Sequence, residues 1–266
     1  MNAVHAAISC SISSPGFIDG YDNTILNSVQ TSYSITCSRG VDATDPLTTT
    51  YSVKVNDGQT PTGNANQAAS GGNRLKYDLY INSACSAIWK SNVSVPATAG
   101  TITMVGLLPT TVTQNFWGCV LAGPLPAAGV YTDSVTMTPT YSAAGVIAIG
   151  TPTVSVKIIT PATCTISAIP GITLAYGNAF RLTPATATTS APVTCSDQLP
   201  YTLAVSPTSG VSAGIYYTLS LPGSATGTGA VQNTTITATA PAGQAGTCTT
   251  SSCIGAAQPH TLTVTY

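Results

Sequence analysis

Residues 129–164 read GVYTDSVTMTPTY (129–141), SAAGVIAIG (142–150), TPTVSVKIIT (151–160) and PATC (161–164). In the first part Val135, Met137, Pro139 and Tyr141 share one parity, and Ser134, Thr136, Thr138 and Thr140 the other. Such period-two alternation over a short run is the signature of a half-buried β-strand. After a turn of small residues, TPTVSVKIIT alternates again, with Val154, Val156 and Ile158 on one side. Pro161 breaks the pattern, and Cys164 opens what reads as a second copy of everything before it. That copy closes in TLTVTY, where Leu262, Val264 and Tyr266 match Met137, Pro139 and Tyr141. The first copy therefore has one more strand than the second.

A chain of 266 residues suits two domains, each able to bury a sizeable core. Only 6% of the residues are charged, against roughly 25% in an ordinary soluble domain. All eight acidic residues are Asp. Thr, Ser, Gly, Ala and Pro fill the polar positions, and no stretch shows a sustained 3.6-residue apolar stripe, so almost no helix is expected. A net charge of −1 supplies no electrostatic reason to bind nucleic acid. No apolar run approaches the roughly 18 residues of a membrane-spanning helix.

Cysteines stand at 10, 37, 85, 119, 164, 195, 248 and 253. An even count in a Thr/Ser-rich β chain points to an oxidising compartment and disulfides. No Cys-x-x-Cys pair occurs, and only His5 and His260 accompany the thiols, so neither a metal site nor a cofactor is expected. Spacing leaves the connectivity open. The internal repeat suggests Cys10–Cys37 and Cys164–Cys195 as equivalent bonds, which leaves Cys85–Cys119 and Cys248–Cys253. At the start, Val4-His5-Ala6 has the small-x-small form of a signal-peptide cleavage site, giving an expected mature start at Ala7.

The copies match in order. Cys164-Thr165-Ile166 answers Cys10-Ser11-Ile12, and Val193-Thr194-Cys195 answers Ile35-Thr36-Cys37. YTLAV (201–205) answers YSVKV (51–55). Ile215, Tyr217, Leu219 and Leu221 answer Leu75, Tyr77, Leu79 and Ile81. Strands are also expected at 87–89, 93–95 and 101–109, with a Gly/Asn/Gln-rich loop at 56–73. A period this long means tandem domains, and many short alternating strands with Gly/Pro turns mean antiparallel sandwiches. The expected domains are 1–160 and 161–266. The first is complete, because 151–160 supply its last strand. The second lacks that strand.

A sandwich short of one strand exposes an apolar groove and unpaired backbone groups, a hazard unless a partner's extended segment completes the sheet. In the second copy Ile166, Ile169, Ile172 and Leu174 are expected along one wall, and Leu262, Val264 and Tyr266 along the other.

Both copies resemble the spore coat protein U domain of archaic, Csu-type chaperone–usher pili. The resemblance rests on the opening Cys-x-Ile, the second Cys in I/V-T-C, the alternating Leu75-x-Tyr77-x-Leu79, the closing AAGVYTDSVTMTPTY and PHTLTVTY, and Pro-Ala-Gly at 241–243. It covers essentially the whole chain. The second copy departs from it at Gln258-Pro259-His260 and in the Cys248–Cys253 loop. The resemblance implies immunoglobulin-like domains, the second lacking its last strand. It also implies a periplasmic chaperone that lends the strand, an outer-membrane usher, and a next subunit whose N-terminal extension replaces the lent strand. Only nine residues precede Cys10, and only three if Ala7 is the mature start, while a groove-filling strand needs roughly 8–10. This subunit is therefore expected to receive a strand but not to donate one, at the tip of a fibre exported through the periplasm to the cell surface.

A terminal first domain would meet an abiotic or host surface with its apolar loops. Met104, Leu107 and Leu108 form one group, Phe116, Trp117 and Leu121 with Leu125 a second, and Trp89 a third. Strand-like sequence flanks both tryptophans, so a core place is the alternative for each. A Cys85–Cys119 bond would tie two of these segments together. Two other readings are a structural spore-coat or envelope subunit and a lectin-like adhesin using Asn64, Asn66, Gln67 and Asn73 beside Tyr77 and Tyr80. Catalysis is not expected. From Pro161 onward only Arg181, Asp197 and His260 titrate besides Cys and Tyr, and the pairs Asp19/Asp22 and Asp42/Asp45 read as turn residues.

Overall fold

A computed structural model describes residues 8–40, 45–63, 65–90, 98–143, 146–248, 253 and 255–266. The expected cleavage site at 4–6, Asp42, Asn64 and the strand expected at 93–95 lie outside them. The described residues hold strands and no helix. Backbone contacts divide the chain into two units, one of residues 1–123 and 129–161, the other of 124–128 and 162–266. Leu125 thus groups with the second unit.

The first unit contains β1 (Ile8–Ser13), β2 (Phe17–Gly20), β3 (Asn27–Arg39), β4 (Thr48–Val55), β5 (Asn66–Ser70), β6 (Asn73–Tyr80), β7 (Thr98–Thr103), β8 (Thr110–Val120), β9 (Gly129–Tyr141), β10 (Val146–Ile149) and β11 (Thr153–Thr160). One layer runs β10-β1-β3-β8-β6-β5, the other β7-β4-β9-β11-β2, with a single β5–β9 pair joining them. Two ladders depart from the expected antiparallel pattern. β10 lies parallel to β1, where only a small-residue turn is expected from the sequence. β11 lies parallel to β2 while pairing antiparallel with β9.

The alternating parities become the core. Tyr33, Ile35 and Cys37 of β3, Val53 and Val55 of β4, Tyr131, Val135 and Met137 of β9, and Val154, Val156 and Ile158 of β11 all lie in one buried cluster. Trp89, Phe116 and Tyr33 form its aromatic centre, with Trp89 stacked on Tyr33 at 5.5 Å and tilted against Phe116 at 5.0 Å. The expected strand at 101–109 ends at Thr103, and 104–109 form the β7–β8 loop. The expected strand at 87–89 is reduced to a single bridge, Ile88 with Tyr80.

The second unit contains β12 (Cys164–Ile166), β13 (Ala185–Cys195), β14 (Pro200–Ser206), β15 (Ser209–Ser212), β16 (Ile215–Ser220), β17 (Ser224–Thr226), β18 (Val231–Ala240) and β19 (Thr261–Thr265). One sheet runs β12-β13-β18-β16-β15 and the other β17-β14-β19. These pairings repeat those of the first unit: β12–β13 answers β1–β3, β13–β18 answers β3–β8, β16–β18 answers β6–β8, and β14–β19 answers β4–β9. Nothing among the described residues answers β2, β10 or β11. The losses of β2 and β11 are linked, because β11 is the only described sheet partner of β2. Without β11, a chain in the position of β2 has no ladder to join.

All four disulfides follow the expected pairing. Cys10–Cys37 and Cys164–Cys195 join directly opposed residues of β1–β3 and β12–β13. In the chain-entropy account, loops of this length contribute about 3–4 kcal/mol each.

Candidate functional site

Residues 167–184 follow β12 and form no strand. Where the first unit has β2 and β11 beside β9, the second has an irregular wall at 169–176, a cleft, and the free edge of β19. That edge carries no sheet partner among the described residues, since β19 pairs only with β14. The cleft measures about 650 Å³ and is lined by Ile169, Ile172 and Leu174 on one side, Leu262 on the other, and Ile215 and Tyr217 at its floor. Its described lining contains no Asp, Glu, Lys or Arg. At the rim, His260 Nδ1 lies 2.7 Å from the Pro207 carbonyl, which can only accept. Nδ1 therefore carries the proton, and Nε2 accepts from the Tyr217 hydroxyl at 2.7 Å.

The cleft divides the core. One cluster gathers Tyr176, Ala185, Ile215 and Ala240, and a second gathers Val193, Cys195, Tyr201 and Leu203. The first unit has one continuous cluster instead. Apolar side chains facing the cleft, Ile172, Leu174, Leu219 and Leu262, remain half-exposed, whereas Leu79 and Met137, the counterparts of Leu219 and Leu262 in the first unit, are buried.

Of the seven groove residues expected from the sequence, Ile169, Ile172, Leu174 and Leu262 line the cleft. Three do not. Ile166 and Val264 pack onto the Cys195 cluster, because the Cys164–Cys195 bond keeps β12 paired to β13 and closes that end. Tyr266 lies beyond β19 and is 57% exposed. The cleft thus stops short of Cys164 and extends to the end bearing Tyr176 and Ile215. Ile215, Tyr217 and Leu219 were absent from the expected groove, although their alternation was visible as the counterpart of Leu75, Tyr77 and Leu79.

The expected surface residues of the first unit are dispersed. Trp89, Met104 and Phe116 are buried, which corrects their reading as contact residues. Trp89 brings the largest apolar mass in the unit, and its indole N–H is satisfied by donating to the Val53 carbonyl at 2.7 Å. Met104 turns inward where its backbone N–H donates to Leu47 at 2.8 Å, and Phe116 holds an inward position of β8. Trp117, on the opposite parity, is half-buried in register with Gln30 and Tyr80. Leu107, Leu108 and Leu121 are exposed, but they flank opposite ends of β8, about 35 Å apart at 3.4 Å per residue. Leu121 belongs to the end from which β11 leaves. There Tyr21 donates its hydroxyl to the Leu121 carbonyl and its N–H to Ile159. The Cys85–Cys119 bond lies at that same end, so it does not stiffen the 104–109 loop. At the other end, Leu47 and Val105 join Leu107 and Leu108 in an exposed apolar group, with exposures of 57–79%. Leu47 and Val105 were not among the expected residues; only the Met104–Leu47 contact brings them together.

Of the residues of the lectin-like reading, Gln67, Asn73 and Tyr80 are half-buried. Asn66 and Tyr77 are buried. The Tyr77 hydroxyl donates to Asp133 at 2.8 Å, and burial pushes its pKa upward. Lys90, also buried, lies 2.7 Å from Asp78 and 3.7 Å from Asp57. These groups anchor the 56–73 loop instead of presenting it to a sugar. Gly58, at φ +76°, is required there, because a Cβ would fall 2.1 Å from an Asp133 oxygen. Among the described residues no group of three His, Cys, Asp or Glu side chains is placed to hold a metal ion.

The Spore Coat Protein U domain family matches the chain over residues 2–138. No curated protein sequence matches it. Among solved structures it is similar to the CsuC–CsuE chaperone-tip adhesion subunit pre-assembly complex from archaic chaperone-usher Csu pili of Acinetobacter baumannii, at 15% identity over 97% of this chain and 100% of that one, with a TM-score of 0.42. It is also similar to the CupB6 tip adhesin from Pseudomonas aeruginosa, at 12% identity over 96% and 94% of the two chains, with a TM-score of 0.39.

Proposed function

From the premise that the chain belongs to the Spore Coat Protein U domain family, we propose that it is the adhesive tip subunit of a chaperone–usher pilus, exported through the periplasm and displayed at the cell surface. The observation that carries this is the vacancy between β19 and residues 169–176, at the position that β11 occupies between β9 and β2 in the first unit. A periplasmic chaperone, and after it the N-terminal segment of the next subunit delivered at the outer-membrane usher, fill it with an extended segment whose apolar residues alternate as Val154, Val156 and Ile158 do. The ladder supplies affinity, and the apolar lining selects side chains. The first unit, filled by its own chain, has no such vacancy and is left for adhesion. Leu47, Val105, Leu107 and Leu108 form the contact with apolar surfaces, an exposed patch of the kind that marks interaction sites.

The chain contains its own reagent for the test. β9 and β11 are joined through 142–152, so a copy of residues 142–160 appended after Tyr266 reproduces the solution of the first unit in the second. The appended chain is expected to be monomeric without a chaperone and to melt at a higher temperature in its second-unit transition. No rise in that transition, with the unmodified chain equally soluble by itself, overturns the reading.

A further inference from the structure

Toward the Tyr176 end of the cleft four large apolar side chains stand in solvent: Phe180 at 67% exposure, Leu182 at 95%, Val211 at 56% and Tyr216 at 44%. Phe180 and Tyr216 are tied to one another by Gln244, the last residue of the Pro-Ala-Gly-Gln segment. Its carbonyl accepts from Phe180 N–H at 2.8 Å. Its side-chain oxygen accepts from Tyr216 N–H at 2.8 Å, and its side-chain nitrogen donates to the Tyr216 carbonyl at 3.0 Å. Val211 faces Tyr216 across the β15–β16 ladder. The same Gln244 donates its backbone N–H to the hydroxyl of Tyr176, a cleft-lining residue, at 2.9 Å. Gln244 therefore ties the patch to the cleft wall, with Val211 and Tyr216 on the outer face of the β15–β16 ladder, opposite the cleft-lining Ile215 and Tyr217.

Phe180 carries a second signal. Its φ of +54° is the left-handed region, where a glycine sits without strain and a bulky residue does not. A strained aromatic that is also exposed gains nothing from the core. Strain held on an exposed aromatic points to use by something outside the chain.

Strand direction identifies the occupant. β11 runs antiparallel to β9 and leaves the first unit at the end where β9 begins. Its last residues lead at once into Cys164, the start of the next sandwich. A segment seated likewise against β19 runs toward Thr261, where β19 begins, so its C-terminal end emerges at the Ser206 end of β14, away from Cys164, and the body it belongs to starts there. We infer that Phe180, Leu182, Val211 and Tyr216 are a docking surface for the folded body of the subunit whose strand fills the cleft. This inference rests on the strand-acceptor reading above.

Two probes keep the readings apart: a synthetic peptide of the N-terminal extension of a single-domain Spore Coat Protein U pilus subunit from the same organism, and that whole subunit. Each is offered to the full chain and to its Phe180→Ser/Leu182→Ser variant. The peptide is expected to bind both within twofold, while the whole subunit dissociates at least tenfold faster from the variant. Phe180→Gly provides the control for folding, since relief of the left-handed strain is expected to raise the melting temperature while capture of the subunit still weakens. Equal dissociation of the whole subunit from variant and wild type overturns the inference and leaves the cleft reading intact. Loss of only chaperone binding in the variant assigns the patch to the chaperone and overturns it too. A wild-type chain that takes up neither peptide nor subunit removes the cleft reading and this inference with it.

Discussion

Val156 of β11 sits in register with Phe17 of β2, and the two side chains are buried in one core. This contact closes the first unit with residues from its own chain, and nothing among the described residues answers it beside the cleft of the second unit. β11 should accordingly behave as a structural strand of the first unit. Ile158→Ala removes a fully buried side chain and is expected to cost about 2–5 kcal/mol. In a thermal melt followed by calorimetry, only the first-unit transition should fall.

Leu107 and Leu108 contribute little to folding because they are exposed. Replacing both with Ser should leave stability within about 0.5 kcal/mol. Retention of the purified protein on polystyrene should drop severalfold, with no change on hydrophilic glass. Leu121→Ser, at the opposite end of β8, should leave retention unaltered. If all three variants adhere as the parent does, the Leu47–Leu108 patch is not the adhesive surface.

Asp19 faces inward on β2 with one carboxylate oxygen buried and unpartnered. Burial raises its pKa above the ordinary value. For a carboxyl raised in the folded state, stability is highest below the unfolded pKa and declines as pH rises through the folded one. Asp19→Asn should therefore stabilise the chain at pH 7 by about 1 kcal/mol, a rise of about 2–4 °C. The gain should shrink as the pH approaches 4. Melting curves between pH 3.5 and 8 measure it, and a pH-independent difference would mean that the carboxyl charge is not the cause.

Lys90 neutralises Asp78 and Asp57 beneath the 56–73 loop. Removing the cation from a buried group of charges costs about 3–5 kcal/mol; here the carboxylates keep 21% exposure, so about 2–4 kcal/mol is expected for Lys90→Met. Adding Asp78→Asn should restore part of the loss, because it removes one of the stranded charges. A double variant less stable than Lys90→Met alone would show that packing, and not charge, sets the cost.

The strand alternation, the duplicated order of elements and the four cysteine pairs were legible in the residues themselves. Period-two patterning and repeat matching are local properties that need no knowledge of neighbours, and they also separated Val154, Val156 and Ile158 from their solvent-facing partners. The parity rule did not distinguish an inward loop residue from an outward one. Met104 is buried while Val105, one residue on, is exposed, and that difference depends on the bond from Met104 to Leu47, far away in the chain. In the same way, apolar composition assigned the separate Leu108 and Leu121 groups to one contact surface, but the length of β8 holds them at opposite ends. The cleft stops short of Cys164 because the Cys164–Cys195 bond draws Ile166 and Val264 into a cluster of their own. The residues alone determined which strands the two copies share, because a strand is written in a local pattern. Only the tertiary structure decided which side chains face the vacancy, and how far it extends, because those follow from long-range pairing and burial.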